Sequence, residues 1–292
     1  MPSAPTRATV DLLGTTFQNP ILLAAGTAGF GRELAGTVDL DSLGGLVTKA
    51  VSRAARAGNP APRVGEFDGG MLNSVGLANP GLAAVVADDL PWLVGHLKRA
   101  QILVNVVGFE IAEYADVIEG LEAVTGVLGY EVNLSCPNTS AGGVEFGADP
   151  RSVEAVIRGC RAKTRRPLIA KLSPAMPDIP SIAAAAVEAG ATGISVVNTM
   201  PGLVFDGVKS RLGNGNGGVS GPALLPVGLL ATARVRRHLP TVPLIGVGGI
   251  RTLEHVEQYL TAGADLVAIG TAGLADPRLP ERLAREWAER RG

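Results

Sequence analysis

Short apolar runs alternate with longer amphipathic stretches along this chain. Eight runs have the length of a buried strand and most are rich in Val, Ile and Leu, while the stretches between them repeat apolar positions at helical spacing. The predicted strands are residues 21–25, 46–49, 102–106, 129–133, 168–172, 193–197, 244–247 and 266–269. The clearest predicted helices are residues 112–124, 152–163, 180–189, 222–238 and 253–262. This alternation predicts parallel strands joined by crossover helices.

Eight such units without a linker predict an α/β protein with a single (β/α)8 barrel, the TIM barrel, over residues 1–292. A doubly wound sheet is the alternative. Residues 52–80, rich in Gly, Pro and Asn, follow the second strand and are predicted to cap the barrel mouth, and small residues after the fourth strand predict a mobile loop. Pro91 is predicted to divide the helical stretch 81–99 into two pieces.

Composition narrows the possible partners and compartments. The 292 residues are 46% hydrophobic and 18% charged with a net charge of -1, which favours neither nucleic acid nor membrane as a partner. Two cysteines make neither a disulfide framework nor the grouped thiolates of a zinc or iron–sulfur site, so we expect no bound metal. Residues 1–10 lack an apolar signal core, and no apolar run approaches the roughly 18 residues of a membrane span. A cytoplasmic protein is predicted.

Glycine-rich loops follow the last strands. Residues 246–250 come after the seventh strand and residues 270–273 after the eighth, where barrels of this kind commonly hold a phosphate on backbone N–H groups. Tight turns alone would explain either loop, but the pair in register favours a phosphorylated ligand. A third glycine-rich segment, residues 213–222, is equally compatible with closing over that ligand and with an ordinary loop.

Polar side chains gather at the predicted strand ends. Lys49 and Lys171 end apolar strands, where a buried ammonium needs an anion beside it. The accompanying amides and hydroxyl are those of Asn73, Asn105, Asn133, Asn138, Asn198 and Thr199. An amide pairs a donor with an acceptor, which matches the edge of a uracil-like ring or a flavin. Together they predict recognition of a planar, polar ring at the mouth.

The two thiols have different settings. Cys136 lies on the loop between Asn133 and Asn138, where it would serve as a base or a nucleophile. Cys160 keeps helical step with Val153 and Ile157 and is predicted to be a core residue.

With these residues assembled, the chain resembles the class 1 dihydroorotate dehydrogenases over almost its whole length. The resemblance rests on residues 48–50, 58–63, 71–81, 133–138, 171–174, 198–199, 218–222 and 248–250. Cys136 stands where the membrane-bound class has Ser. Residues 69–81 look like those of the NAD-linked 1B catalytic subunit.

The resemblance implies one FMN per chain and oxidation of dihydroorotate to orotate in pyrimidine (UMP) biosynthesis. The implied cofactor residues are Ala25, Gly26, Lys49, Asn105, Asn133, Lys171, Val197, Gly221, Gly248, Gly249, Gly270 and Thr271. The implied substrate residues are Lys49, Asn73, Gly76, Leu77, Asn133, Asn138, Asn198 and Thr199. Cys136 would be the base that accepts the ring C5 proton while hydride leaves C6 for flavin N5.

The same resemblance implies the route of the electrons. They would reach NAD through a partner subunit carrying FAD and a 2Fe–2S centre, in a heterotetramer built on a homodimer of this chain. A class 1A homodimer that reduces fumarate is the alternative. Two further possibilities are a flavin barrel that reduces uracil in RNA, similar to dihydrouridine synthases, and a non-catalytic phosphate-binding barrel.

Overall fold

The structure is a computed structural model that describes residues 8–135, 137–138 and 144–291. Eight parallel strands form a closed barrel in chain order, because the last pairs with the first. They are β1 (Ile21–Leu23), β2 (Gly45–Val47), β3 (Gln101–Val106), β4 (Gly129–Asn133), β5 (Leu168–Leu172), β6 (Gly193–Val196), β7 (Leu244–Val247) and β8 (Leu266–Ile269). The predicted TIM barrel is confirmed, and the doubly wound alternative is wrong.

Helices surround this barrel. They are α1 (Leu90–His96), α2 (Ile111–Leu121), α3 (Pro150–Lys163), α4 (Ile179–Glu188), α5 (Leu225–His238), α6 (Leu253–Ala262), α7 (Thr271–Ala275) and α8 (Leu279–Arg291). Asp149, Asp178 and Thr252 cap α3, α4 and α6 by accepting a backbone N–H of the first turn. All five predicted helices are confirmed, with ends that differ by a few residues. No helix in the described ranges is long and apolar enough to cross a bilayer.

Pro91 does not divide the helical stretch before β3, so that prediction is wrong. Leu82–Ala84, a π-helical turn at Val85–Asp89 and α1 follow one another without a break. Pro91 lies in the first turn of α1, directly after the π turn. A wide turn there accommodates a residue without an N–H, so the chain stays helical.

Two apolar layers lie on the two sides of the strands. Side chains such as Leu22, Ile169 and Ile245 fill the barrel interior, and Phe17 of an N-terminal hairpin (Val10–Leu12 and Thr15–Phe17) packs with them. A larger layer, which includes Trp287, lies between the strands and the helices. The hairpin closes the N-terminal end of the barrel, which leaves the C-terminal end for a site.

A second sheet lies beside the C-terminal strand ends. Its four antiparallel strands are Met200–Gly202, Gly217–Ser220, Gly70–Asn73 and Val64–Phe67, in that spatial order. The insertion after β2 thus joins the glycine-rich segment after β6 in one capping sheet. After β4, Pro137–Asn138 pairs with Val144–Glu145. The rest of the predicted mobile loop, including Cys136, lies outside the described residues.

Candidate active site

The barrel interior is polar along strands β3 to β6. Asn105 is in register with Glu131, Asn133 with Lys171, and Lys171 with Ser195. Residues in register on neighbouring strands face the same side, and Lys171 is two residues beyond the inward-facing Ile169. These five polar side chains, which we call the polar wall, therefore face the interior near the mouth.

Glu131 and Lys171 form a buried ion pair in this wall. Lys171 Nζ lies 3.3 Å from Glu131 Oε1, and the same oxygen accepts a hydrogen bond of 2.8 Å from Asn105 Nδ2. Their side chains are 2% and 7% exposed, and they are the two charged residues that are buried in the described part of the chain. Each charge would be costly to bury alone, so the pair and the amide hold one another in place.

Asn133 and Asn198 meet above this pair. Asn198 Nδ2 donates to Asn133 Oδ1 at 3.1 Å, and Asn198 Oδ1 accepts the N–H of Thr199 at 2.8 Å. The hydroxyl of Tyr114 donates to the backbone carbonyl of Asn133 at 2.9 Å. The two amides are thereby fixed in orientation, with Asn133 Nδ2 left to serve as a donor.

The capping sheet brings Asn73 to the mouth, followed by a strained turn. Asn73 Nδ2 donates to the carbonyl of Gly218 at 3.3 Å. Gly76 has φ 75° and Leu77 has φ 57°, which is rare for a residue with a side chain. The carbonyl of Leu77 accepts a hydrogen bond of 2.8 Å from Asn79 Nδ2, which holds the turn. No bond within the described residues uses the N–H of Gly76 or Leu77, so both remain available to an anion.

Lys49 lies two residues beyond the end of β2, not within the strand as predicted. Its backbone N–H donates to the carbonyl of Gly29, in the loop after β1, at 2.8 Å. The half-buried side chain makes no ion pair with the described residues. A bound anion is the partner that such an ammonium lacks.

The loop after β7 is built from glycines in conformations that favour glycine. Gly248 and Gly249 have φ 124° and 73°, and a Cβ on Gly249 would lie 2.6 Å from the backbone nitrogen of Leu225. The single O–H of Tyr259 is shared between the carbonyls of Val247 and Gly248, whose oxygens lie 3.0 and 2.8 Å from the hydroxyl. Burial raises the pKa of Tyr259, so it remains a donor. The loop carbonyls are thus held toward α6.

The loops after β8, β1 and β6 adjoin one another. Thr271 Oγ1 donates to Ser220 Oγ at 2.8 Å, and a Cβ on Gly221 would lie 3.5 Å from Thr271 Cγ2. A Cβ on Gly270 would lie 3.7 Å from that of Ala24, the residue before the predicted Ala25 and Gly26. Four backbone N–H groups are bonded to no acceptor among the described residues, and they are those of Gly248, Gly249, Gly270 and Thr271. We call these residues the glycine rim, and such a set of donors suits a phosphate.

The remaining predicted residues are placed as follows. Val197 is buried below the mouth, and its N–H donates to the carbonyl of Val247 at 3.0 Å. Cys136 and the side chain of Asn138 lie outside what the structure describes. Cys160 is buried in α3, where burial raises its pKa to about 12, so its predicted core position is confirmed. Within the described residues, no three His, Cys, Asp or Glu side chains are grouped as metal ligands require.

Sequence reasoning missed two members of the polar wall. Glu131 interrupts an apolar strand between Tyr130 and Val132, and a carboxylate in that position was the available signal. Ser195 is fully buried with no hydrogen-bond partner for its hydroxyl in the described residues. With the glycine rim opposite, the polar wall offers donors and acceptors that fit the implied FMN, a planar polar ring with a phosphate tail.

Known proteins are similar to this chain in sequence and in fold. Residues 7–290 match the sequence model of a protein family described as dihydroorotate dehydrogenase. The dihydroorotate dehydrogenase B (NAD(+)) catalytic subunit of Desulforudis audaxviator is 45% identical over 279 residues, covering 95% of this chain and 90% of that protein. A putative dihydroorotate dehydrogenase A (fumarate) of Solibacter usitatus is 43% identical over 286 residues, covering 96% and 93%. The crystal structure of DHODH from Eimeria tenella in complex with ferulenol has a TM-score of 0.80 at 23% identity, covering 96% of this chain and 83% of that one.

Proposed function

The chain belongs to the dihydroorotate dehydrogenase family, and we propose that it oxidises dihydroorotate to orotate with bound FMN, in pyrimidine biosynthesis. The observation that carries this proposal is the polar wall facing the glycine rim across one barrel mouth. We further propose that residues 1–292 are a single domain that binds one FMN. We place the protein in the cytoplasm, because its two cysteines form no disulfide framework and a reducing compartment suits such a chain.

The residues proposed for the cofactor divide by chemistry. The phosphate would be held by the N–H groups of the glycine rim, and the ring by Asn105, Asn133 and Lys171. Lys171 would place its positive charge at the N1 and O2 edge, where negative charge collects on reduction. Ala25, Gly26, Val197 and Gly221 would line the cofactor with their backbone. When bound, FMN supplies the acceptor for the hydride that leaves C6 of the substrate.

The residues proposed for the substrate surround its ring and carboxylate. Lys49 and the N–H groups of Gly76 and Leu77 would bind the carboxylate, since all three lack an anionic partner among the described residues. The ring edge would be read by Asn73, Asn133, Asn138, Asn198 and Thr199. Cys136 would accept the C5 proton. A free thiol has a pKa of about 8.5, so we expect flavin reduction to become faster as the pH rises toward that value.

The electron acceptor is proposed from the relatives. Several relatives are named NAD(+) catalytic subunits. We propose the same arrangement here: a homodimer of this chain in a heterotetramer with a subunit that carries FAD and a 2Fe–2S centre. Direct reduction of fumarate is the second candidate, since a relative named for fumarate is 43% identical. Turnover of the purified chain with fumarate alone would favour the second, and turnover with NAD only after adding such a subunit would favour the first.

The reaction is tested by mixing the purified protein with dihydroorotate without oxygen and following the visible absorbance of the flavin. We expect rapid bleaching by the parent and very slow bleaching by Cys136→Ala. Cys160→Ala is the matched control, because that thiol lies in the core. We expect it to bleach at the parent's rate. Parent flavin that stays oxidised contradicts the proposed reaction, and bleaching of Cys136→Ala at the parent's rate contradicts the proposed base.

A further inference from the structure

Glu131 contacts two residues proposed for the flavin but is itself not among the residues expected to bind it. Its Oε1 accepts from Asn105 Nδ2 at 2.8 Å and from Lys171 Nζ at 3.3 Å. It is 1% exposed, and Glu131 and Lys171 are the charged residues buried in the described chain. Among the described residues, no other carboxylate forms an ion pair with Lys171.

A carboxylate only accepts hydrogen bonds, and this fixes what its neighbours can offer. Asn105 must turn its NH2 group toward Glu131, which leaves Oδ1 as an acceptor for another partner. Lys171 must give one N–H to Glu131 and keeps two for other partners. The donor and acceptor pattern of the wall therefore depends on Glu131.

Glu131 also sets the net charge beneath the mouth. With both groups ionised the pair sums to zero, whereas Lys171 alone would be an uncompensated positive charge in a site of low dielectric. Such a charge would favour a reduced, anionic flavin over the oxidised, neutral one. We infer that Glu131 is a positioning residue that orients Asn105 and Lys171 toward the flavin ring and restrains the flavin's reduction potential. The inference rests on the proposed function.

The test is the midpoint potential of the bound flavin, measured by titration with a chemical reductant and an indicator dye. Glu131→Gln removes the charge and keeps the size. We expect at least a tenfold shift of the equilibrium toward reduced flavin, which is about 30 mV upward for a two-electron couple. Glu131→Asp keeps the charge but draws it back by one methylene, so a smaller upward shift is expected.

Glu122→Gln is the matched control. Glu122 is also hydrogen-bonded to several groups, namely Tyr130, Thr164 and the ion-paired Arg166, but it lies on the helix side of β4. Its loss should leave the potential unchanged. An unaltered potential in Glu131→Gln, or a shift of equal size in Glu122→Gln, overturns the inference.

Two further outcomes are informative. If Glu131→Gln does not fold, Glu131→Asp decides alone, and an unchanged or lowered potential in it overturns the inference. The titration uses no dihydroorotate, so a shifted potential in a protein that dihydroorotate does not reduce rejects the proposed reaction and retains the role of Glu131.

Discussion

The two halves of the barrel mouth differ in the groups that can bind a ligand: one half presents mainly polar side chains, and the other presents mainly backbone N–H groups. Strands β3 to β6 contribute the polar wall, with Glu131 and Lys171 at its centre. Strands β7, β8, β1 and β2 contribute apolar side chains such as Val247, Ala268 and Leu22. Apart from the side chain of Lys49 beyond β2, the polar groups proposed for a ligand on that side are the backbone N–H groups of the glycine rim.

The difference matches two kinds of ligand group. A phosphate accepts hydrogen bonds from all directions, so converging N–H groups suit it and side chains would only fill the space. A ring edge alternates donors and acceptors, so it needs side chains in a fixed orientation. The comparison indicates that one half of the barrel is suited to bind a phosphate through backbone N–H groups. The other half is suited to bind the donors and acceptors of a ring edge through oriented side chains.

The strongest test of the polar wall is a double-mutant cycle on its ion pair. Lys171→Met or Glu131→Leu alone leaves a buried charge without its partner, and we expect each to lower the free energy of unfolding by about 3–5 kcal/mol. The double variant leaves no unpaired charge, so it should lose well under the sum. Urea unfolding at saturating FMN measures all four proteins. Additive losses would contradict the coupling.

The glycine rim is tested by adding one methyl group. Gly249→Ala must adopt a positive φ and approach the backbone of Leu225. We expect a loss of about 1–3 kcal/mol in the free energy of unfolding and weaker FMN binding. Gly36→Ala is the control, because a Cβ there meets nothing within 4 Å. Equal behaviour of the two variants in thermal unfolding and flavin titration would remove the special role of the rim.

Support for the rim from outside the barrel is tested with Tyr259→Phe. The carbonyls of Val247 and Gly248 lose their shared donor, so we expect a loss of about 1–2 kcal/mol in stability and weaker FMN binding. Tyr130→Phe removes a buried hydroxyl that contacts Glu122 and Arg166 instead. It should lose stability while binding FMN as the parent does. Parent-like FMN affinity in Tyr259→Phe would show that the rim needs no such support.

A site away from both halves gives the smallest effect. Burial would raise the pKa of Asp41, but hydrogen bonds from the N–H groups of Ala100, Arg99 and Lys98 outweigh it and hold the pKa below 3.8. This carboxylate therefore stabilises the fold above pH 3.8, and its contribution disappears as the pH falls through the lowered pKa. Asp41→Asn should cost about 1 kcal/mol at neutral pH. Its deficit should vanish in acid, with flavin reduction unaffected, and a deficit independent of pH would contradict this assignment.

Much of the fold follows from local pattern. Short runs of strand-forming residues, most of them rich in Val, Ile and Leu, located all eight strands, because strands buried on both faces need no alternation. The strand ends were less predictable. Lys49 and Val197 both lie just beyond them, where the N–H of Lys49 donates to Gly29 in the loop after β1 and the N–H of Val197 donates to the last residue of β7. The predicted helix break at Pro91 was wrong, since a π turn in the residues just before it accommodates the proline.

The site residues also divide into those that the sequence revealed and those that it did not. Residues at strand ends, such as Asn105 and Lys171, were visible because amides and ammonium groups stand out after apolar runs. Glu131 was not recognised, since its importance comes from contacts between strands β3, β4 and β5. The positive φ of Leu77 could not be read from sequence either, because it depends on Asn79 and the sheet that carries the turn.

The measurement that tests the central claim most directly is a crystal structure of the purified, yellow protein with orotate. We predict the flavin ring against Asn105 and Lys171, its phosphate on the N–H groups of Gly249, Gly270 and Thr271, and orotate between the ring and Asn73. A flavin whose phosphate lies on the side of β3 to β6, or an orotate bound away from the mouth, would contradict the division of the barrel into a polar wall and a glycine rim.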